Sequence, residues 1–225
     1  MGRISEEILV HAPLVAAMAT ALAAEFYNPA GLAGNKAFQN GCILRSWPFL
    51  SVSSAIAFLA YKAKHSALGD ASSVERLVAI WHLSNGLWWS FGCDVCSGLW
   101  CIMPRLREVY EFMDKRHLKP KNSSDRRLMD MAYYTELCVH VPLSLLTFAG
   151  YVSRAPWRYV LDGAISGVQL TGTLFYYGPE ALSGKANWPE NLFDRTLLIQ
   201  IAWAWVAIPA CVLARAARIT TLHAK

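Results

Sequence analysis

Residues 77–103 read LVAIWHLSNGLWWSFGCDVCSGLWCIM, a stretch long and apolar enough to cross a bilayer. It nevertheless carries His82, Asn85 and Asp94, polar residues that cost free energy at membrane depth. A helix that serves only as an anchor has no need of such residues. The stretch therefore predicts a membrane helix that turns a polar face toward other helices.

The composition of the whole chain predicts a membrane protein with several spans. Of the 225 residues, 55% are apolar and 16% are charged, whereas a soluble domain has about 25% charged residues. Most Lys and Arg residues lie between the hydrophobic stretches and alternate with acidic residues. This pattern indicates contact with lipid headgroups and argues against nucleic-acid binding.

The cysteines do not predict a metal or redox site. Cys93 and Cys96 form a C-x-x-C pair, but the pair lies inside an apolar helix and no second pair accompanies it. We therefore expect no metal and no redox cofactor.

Five transmembrane helices are predicted, so the expected fold is an all-α bundle. The spans are residues 44–61, 77–103, 129–152, 157–177 and 196–214. Each is close to the roughly 20 residues that cross a typical hydrocarbon core. The turn at 153–156 makes the third and fourth spans antiparallel neighbours, and a charged, partly helical connection is predicted at 104–128. Pro142 is expected to kink the third span, because its ring removes one helical hydrogen bond.

Three regions are predicted along the chain. Residues 1–43 form an N-terminal region with an apolar segment at 8–24, which fits a signal peptide, an interfacial helix or a further span. The helix bundle is predicted over 44–218, and residues 219–225 form a C-terminal tail.

Ionisable residues inside predicted spans are functional candidates, because such residues usually face the bundle interior. The candidates are His82, Asp94, Glu136, His140 and Asp162. Asp162 lies near the start of its span, where an interfacial position would explain it. His140 could have a structural role instead of a functional one, with a hydrogen bond to a backbone carbonyl that Pro142 leaves free.

Glu136 is the strongest candidate for a proton donor. Helical spacing places Tyr133, Glu136 and His140 on one face, and a buried carboxylic acid can hold and deliver a proton. By the same spacing, Asn85 and Trp89 share a face with the histidine of the second span. We expect that histidine and Glu136 to be partners across the two helices.

Trp203 and Trp205 lie in the middle of the fifth span, where an interfacial belt does not explain them. Aromatic faces attract cations. A dry pocket lined by aromatic rings, with one proton donor, suits isomerisation of an alkene through a carbocation. It would also suit binding of a cationic amphiphile.

Residues 75–215 resemble the emopamil-binding proteins, which are EXPERA-domain membrane proteins and include the sterol Delta8–Delta7 isomerases. The matching stretches are His82-Leu83, Trp88-Trp89, Asp130, Thr135-Glu136, Pro142-Leu143-Ser144-Leu145, Pro156-Trp157-Arg158-Tyr159, Gln169, Gly172, Leu174-Phe175-Tyr176-Tyr177, Trp205 and Pro209. The resemblance implies a five-helix bundle in the endoplasmic reticulum and a sterol-like substrate that enters from the bilayer. It also implies that His82 and Glu136 lie beside the migrating double bond and that Trp205 completes the pocket.

The chain departs from that family at three positions. Gly86 stands where the second-helix glutamate of the isomerases is expected, and Ala202 stands where the fifth-helix asparagine is expected. Aligned from Pro142, the third-helix acid falls on Tyr133 rather than on Glu136. The acid–base set for standard sterol isomerisation is therefore incomplete.

These observations predict a cofactor-independent isomerase that shifts a double bond in a sterol or terpenoid. Catalytic roles are expected for Glu136, His82, Asn85 and Asp94. Substrate contacts are expected from Trp89, Trp205, Tyr133, His140, Trp203, Tyr176 and Gln169. A terpenoid cyclase and a non-catalytic sterol-binding protein remain the alternatives. The expected partners are the lipid substrate and membrane lipids, and a homodimer is left open.

Overall fold

The computed structural model describes residues 67–184, 186–190 and 192–223. Within these ranges the chain forms helices joined by turns and no β-strand, in agreement with the predicted all-α class. The predicted N-terminal region and the span at 44–61 lie outside the described residues.

The second predicted span is a helical rod of two parts, which are helix α1 (Ser73–Ser84) and a π-helical segment (Asn85–Leu99). The rod begins before residue 77 because Ser72 and Glu75 form a capping box, with 3.2 Å hydrogen bonds in both directions. It ends four residues before the predicted boundary, ahead of Cys101 in a left-handed conformation (φ 57°).

The charged connection is partly helical, as predicted. It contains helix α2 (Pro104–Met113) and a 3-10 turn (Lys115–Leu118). Proline is tolerated at the start of α2, because the first amide groups of a helix have no intrahelical acceptor.

The third span is a continuous rod made of α3 (Ser124–Thr135), a π-helical turn (Glu136–His140) and α4 (Val141–Val152). The Ser123 hydroxyl accepts a 3.2 Å hydrogen bond from the Arg126 amide, so the rod begins five residues before the predicted boundary. The change from α-helical to π-helical hydrogen bonding lies directly ahead of Pro142, and the kink predicted at Pro142 stays a prediction.

Helix α5 (Arg158–Leu182) and helix α6 (Leu192–His223) are both longer than the predicted spans 157–177 and 196–214. The difference arises because the spans were bounded by hydropathy, whereas the helices continue into polar sequence. A sharp turn, with Arg154 at φ 56°, joins α4 to α5.

Two close contacts fix how the first rod packs against the third. A Cβ atom added at Gly86 would lie 2.8 Å from Leu145 Cδ2, and one added at Gly98 would meet the Tyr133 ring. Twelve residues of one rod thus run against twelve of the other. The rods are antiparallel and in constant register, with α1 beside α4 and the end of the π-helical segment beside α3.

Two segments of the described chain are long and apolar enough to cross a membrane: Ser124–Val152 and Ala202–Leu222. Large apolar side chains also point away from the bundle, including Leu174, Phe175 and Val160, each more than 60% exposed. Outward apolar surface of this kind suits lipid. The number of spans, five, stays a prediction.

Candidate functional site

His82 is completely buried and lies in a hydrogen-bonded network at one end of the bundle. Its Nε2 is 2.9 Å from Asp162 Oδ1. The second oxygen of Asp162 accepts a 2.5 Å hydrogen bond from the Tyr151 hydroxyl, and Arg215 Nη1 lies 3.4 Å away. Three helices, α1, α4 and α5, therefore meet α6 through this carboxylate.

The network reaches the bundle surface at Glu75. Arg215 and Arg158 both pair with Glu75 Oε1, at 3.7 and 3.3 Å. Partial burial acts to raise the pKa of Glu75, but hydrogen bonds from Tyr159, Ser72 and Arg158 outweigh it and lower the pKa to about 2. Two carboxylates and two guanidinium groups balance one another here, which leaves the network neutral when His82 is neutral.

Two sequence-based expectations are corrected by this geometry. Asp162 does not face outward as an interfacial residue would, because its side chain is fully buried and pairs with His82. His82 and Glu136 are not partners either. The constant register of the two rods separates them by about 13 residues, or roughly 15–20 Å at the helical rise.

Glu136 pairs instead with His140, four residues further along the same rod. Glu136 Oε2 lies 2.7 Å from His140 Nδ1, across the π-helical turn. The Glu136 side chain is 20% exposed, whereas the His140 side chain is 6% exposed. His140 Nε2 is buried and has no hydrogen-bond partner in the part of the chain that the structure describes.

Three tryptophan rings pack between the first rod and α6. Trp205 meets Trp81 and Trp89 edge-on, with ring centroids 5.5 and 5.3 Å apart. The backbone carbonyl of Trp205 lies 3.4 Å from the Thr173 hydroxyl. A Cβ atom at neighbouring Gly172 would lie 3.9 Å from His140 Cε1, so this tryptophan cluster and the Glu136–His140 pair occupy the same middle region of the bundle.

Trp203 does not belong to the cluster. Its side chain is 66% exposed, because two residues along an α-helix turn a side chain through about 200°. The structure therefore does not bring Trp203 together with Trp205, and the contact of Trp203 with substrate stays a prediction.

A column of buried polar atoms runs along the bundle interior between the two ends. These atoms have no hydrogen-bond partner among residues 67–184, 186–190 and 192–223: His82 Nδ1, Asn85 Nδ2, Ser144 Oγ, Ser166 Oγ, Gln169 Oε1 and His140 Nε2. Every one of these residues is at most 5% exposed. Buried polar groups are normally hydrogen-bonded, so the column is a place for a polar ligand or water.

The remaining predicted site residues lie in a second polar network at the opposite end. Tyr133 is 2% exposed and its hydroxyl lies 3.0 Å from His117 Nε2. Tyr176 lies under the Arg116 guanidinium, 4.6 Å from its carbon to the ring centroid. Asp94 accepts a 2.6 Å hydrogen bond from the Tyr110 hydroxyl. These contacts connect the helices to the α2 region. Asp94 also interacts electrostatically with Glu136, so this network adjoins the Glu136–His140 pair.

His117 is the centre of this second network. Its backbone carbonyl accepts hydrogen bonds from Arg107 Nη2 at 3.0 Å and Arg126 Nη1 at 3.1 Å. Burial, together with the positive charges of Arg107, Arg126 and Arg116, holds the pKa of His117 well below its usual 6.5. A neutral His117 is thus built into the connection between α2 and α3.

The model of the EXPERA family, the expanded EBP superfamily, matches residues 102–216. The chain belongs to the EXPERA family. The match covers just over half of the chain and includes Glu136, His140, Asp162 and Trp205. It begins after the histidine and tryptophans of the first rod. The chain matches no curated protein and no solved structure.

The glycine at position 86 separates this EXPERA protein from the isomerase pattern described above. A Cβ atom there would lie 2.8 and 2.9 Å from Leu145 side-chain atoms and 3.3 Å from Ser144 Cβ. A glutamate therefore does not fit unless Leu145 moves. The space that a carboxylate would need is filled by the neighbouring helix.

Ser144, Ser166, Tyr151 and Arg215 are residues of this EXPERA site for which no site role was predicted from sequence, although Ser144 lies in a stretch that resembles the family. Serine inside an apolar helix is common, since its hydroxyl can bond to the preceding turn. Arg215 lies just beyond the predicted fifth span. Only the packing of four helices brings these residues together with Asp162.

Proposed function

We propose that this EXPERA protein is a membrane-embedded isomerase that shifts a double bond in a sterol or terpenoid. The observation that carries the proposal is the Glu136–His140 pair, with Oε2 and Nδ1 2.7 Å apart. A carboxylate that accepts from Nδ1 fixes the ring and leaves Nε2 for proton transfer. Family membership supports the same class of reaction.

The proposed reaction needs only proton transfers. The protonated His140 ring delivers the Nε2 proton to one alkene carbon, which leaves a carbocation on the other carbon. The now neutral nitrogen accepts a proton from a carbon next to the cation, and the double bond forms in the new position. The proton count is unchanged at the end, and Glu136 keeps the ring oriented throughout.

The tryptophan cluster is proposed to stabilise the carbocation. Trp89 and Trp205 present ring faces and edges in the region that also holds His140. Attraction between a cation and an aromatic face reaches about 2 kcal/mol when both are desolvated. In this proposal Glu136 orients the histidine ring rather than donating the proton itself, and His140 is the acid.

The experiment is turnover of a Delta8-sterol by the purified protein in lipid nanodiscs made in D2O. Isomerisation by this route produces a shifted double bond and introduces one deuterium. The same chain should restore normal sterols in cells that lack sterol Delta8–Delta7 isomerase. If neither a sterol nor a terpenoid pool is converted while the protein is folded, the isomerase proposal fails.

One observation favours a second candidate, a terpenoid cyclase or rearrangement enzyme. Leu145 fills the space beside Gly86 where the resemblance implies a carboxylate, so one group that could accept a proton is missing. A longer-lived carbocation is then free to react with a second alkene. NMR of the product distinguishes the two, since a new ring supports the cyclase and a shifted double bond supports the isomerase. Tight sterol binding without any conversion would indicate a binding protein.

The proposed setting is a bundle of five spans in the endoplasmic reticulum membrane, with the lipid substrate entering from the bilayer. The outward apolar faces of α5 and α6 support contact with lipid. Fractionation of cells that express the tagged chain tests the location.

A further inference from the structure

Four of the unpartnered polar atoms lie at one level of the bundle. They are His82 Nδ1, Asn85 Nδ2, Ser144 Oγ and Ser166 Oγ, all buried and without a hydrogen-bond partner among the described residues. Each of the four residues is at most 1% exposed. Four polar atoms from three helices lack a partner at one level, and they need a common explanation because a buried polar group without a hydrogen bond is destabilising.

The common level follows from side-chain contacts and helical spacing. Asn85 lies one turn after His82 on the first rod, and Ser166 lies one turn after Asp162, which holds His82. Ser144 Cβ lies 3.3 Å from the Cβ position at Gly86, the residue next to Asn85. All four side chains therefore approach the same part of the bundle interior.

The network around Asp162 fixes what His82 offers at this level. Asp162 Oδ2 accepts a hydrogen bond from the Tyr151 hydroxyl and lies 3.4 Å from the Arg215 guanidinium, whose charge favours an ionised carboxylate. Asp162 Oδ1 lies 2.9 Å from His82 Nε2. An ionised carboxylate accepts only, so His82 Nε2 carries the hydrogen and Nδ1 of the neutral ring is an acceptor. Asn85 Nδ2 and the two serine hydroxyls supply donors.

We propose that His82, Asn85, Ser144 and Ser166 form a binding site for a neutral hydroxyl group of the lipid substrate. A hydroxyl both donates and accepts, which matches one acceptor and several donors. A carboxylate or an amine does not match, because the charges of the adjoining network are already balanced. The inference rests on the proposed isomerase function and adds the position of the substrate's oxygen.

The site also sets the spacing between the hydroxyl and the reacting double bond. Ser144 lies one turn after His140 on the same helical face, which places the two levels roughly 6 Å apart along the axis. Hydroxyl and double bond must then belong to one compact ring system. A sterol or a cyclic terpenoid alcohol meets this condition, whereas a linear prenyl chain with a distant alcohol does not.

The test is a binding competition in nanodiscs between a 3-hydroxysterol and the matching sterol hydrocarbon without the oxygen. The wild-type protein should bind the hydroxysterol at least about 10-fold more tightly, since one lost hydrogen bond to buried groups is of that order. Ser144→Ala and Ser166→Ala should each remove most of this preference and leave binding of the hydrocarbon unchanged. Thermal unfolding of each variant verifies that it is folded.

The matched control is Ser97→Ala. Ser97 is also fully buried, and its hydroxyl is also unpartnered among the described residues, but it lies at the opposite end of the first rod. This variant should keep the wild-type preference. Equal binding of the two probes by the wild type, or no binding of either, overturns the hydroxyl site. Preferential binding with no turnover would instead leave the site standing and refute the isomerase proposal.

Discussion

Glu136 Oε2 lies 2.7 Å from His140 Nδ1, and the two residues are the first and last of the π-helical turn that joins α3 to α4. If the histidine is the acid and the glutamate orients it, His140→Gln should lower kcat by about 100-fold or more. Glu136→Gln should also lower kcat, with little change in KM. Steady-state rates of double-bond shift in nanodiscs measure both effects.

The double variant Glu136→Gln/His140→Gln shows whether the two residues act together or independently. Residues that act as a unit give strongly non-additive effects. The double variant should therefore be no slower than the worse single variant. Full turnover by Glu136→Gln, or strictly multiplicative losses, would contradict the pair.

Trp205 and Trp203 offer a comparison within one turn of α6. Trp205 packs against two other tryptophans, whereas Trp203 is 66% exposed. Loss of a desolvated cation–π contact of about 2 kcal/mol corresponds to roughly 30-fold in rate. Trp205→Leu should thus lower kcat by about 10- to 30-fold, and Trp203→Leu should leave it within about twofold. Equal effects from the two variants would refute a specific role for the cluster.

The helices and the inward-facing residues of the first rod were accessible from sequence. Long apolar runs with few charges predict helices of the right number and order across the described chain, and the spacing of His82, Asn85 and Trp89 predicts one shared face. Both His82 and Asn85 are in fact buried. Pattern alone suffices here because burial of a helix face is a local property of the sequence.

The pairing of the buried groups was not accessible in the same way. His82 was expected to meet Glu136, but it meets Asp162 on a helix 80 residues away. Which carboxylate reaches a histidine depends on helix register, and register is set by contacts such as Gly98 against Tyr133. Periodicity says which face is buried and does not say how far one helix slides along another.

The Glu75 carboxylate should make folding sensitive to acid. Its pKa in the folded protein is about 2, below the usual 4.5. The folded state therefore binds the proton less readily than the unfolded state, so this contribution is complete above pH 4.5 and is lost as the pH falls toward 2. Glu75→Gln should lower Tm at pH 7 and flatten the decline of Tm between pH 4.5 and 2.

Glu190→Gln is the control for this pH effect. Glu190 also pairs with a cation, Lys115, at 2.7 Å, but its side chain is 87% exposed. Exposed ion pairs contribute little to stability. The Tm profile of this variant should follow that of the wild type, and a profile like that of Glu75→Gln would refute the special role of the buried network.

Gly98 should be intolerant of a side chain. A Cβ atom there would lie 2.6 Å from Tyr133 Cε1, and Tyr133 cannot move away because its ring stacks on His117. Gly98→Ala should lower the free energy of unfolding by about 1–3 kcal/mol. Gly167→Ala has no atom within 4 Å of the new Cβ, and it should instead stabilise α5 by about 0.5–1 kcal/mol. Thermal unfolding in detergent compares the two.

Gly86 and Leu145 offer a way to restore the missing carboxylate. Gly86→Glu alone should destabilise the protein, since its Cβ would lie 2.8 Å from Leu145 Cδ2. Combining it with Leu145→Ala removes the obstructing side chain, so the double variant should be more stable than Gly86→Glu. Tm values of the two single variants and the double variant measure this coupling.

The same double variant tests whether position 86 governs the chemistry. A carboxylate beside Asn85 would add a proton acceptor about one turn from the level of the tryptophan cluster. If the natural product is cyclised or rearranged, the double variant should divert it toward the simple double-bond isomer, because faster deprotonation shortens the life of the carbocation. Leu145→Ala alone is the control and should keep the natural product ratio. An unchanged ratio in a folded double variant would show that Gly86 does not determine the outcome.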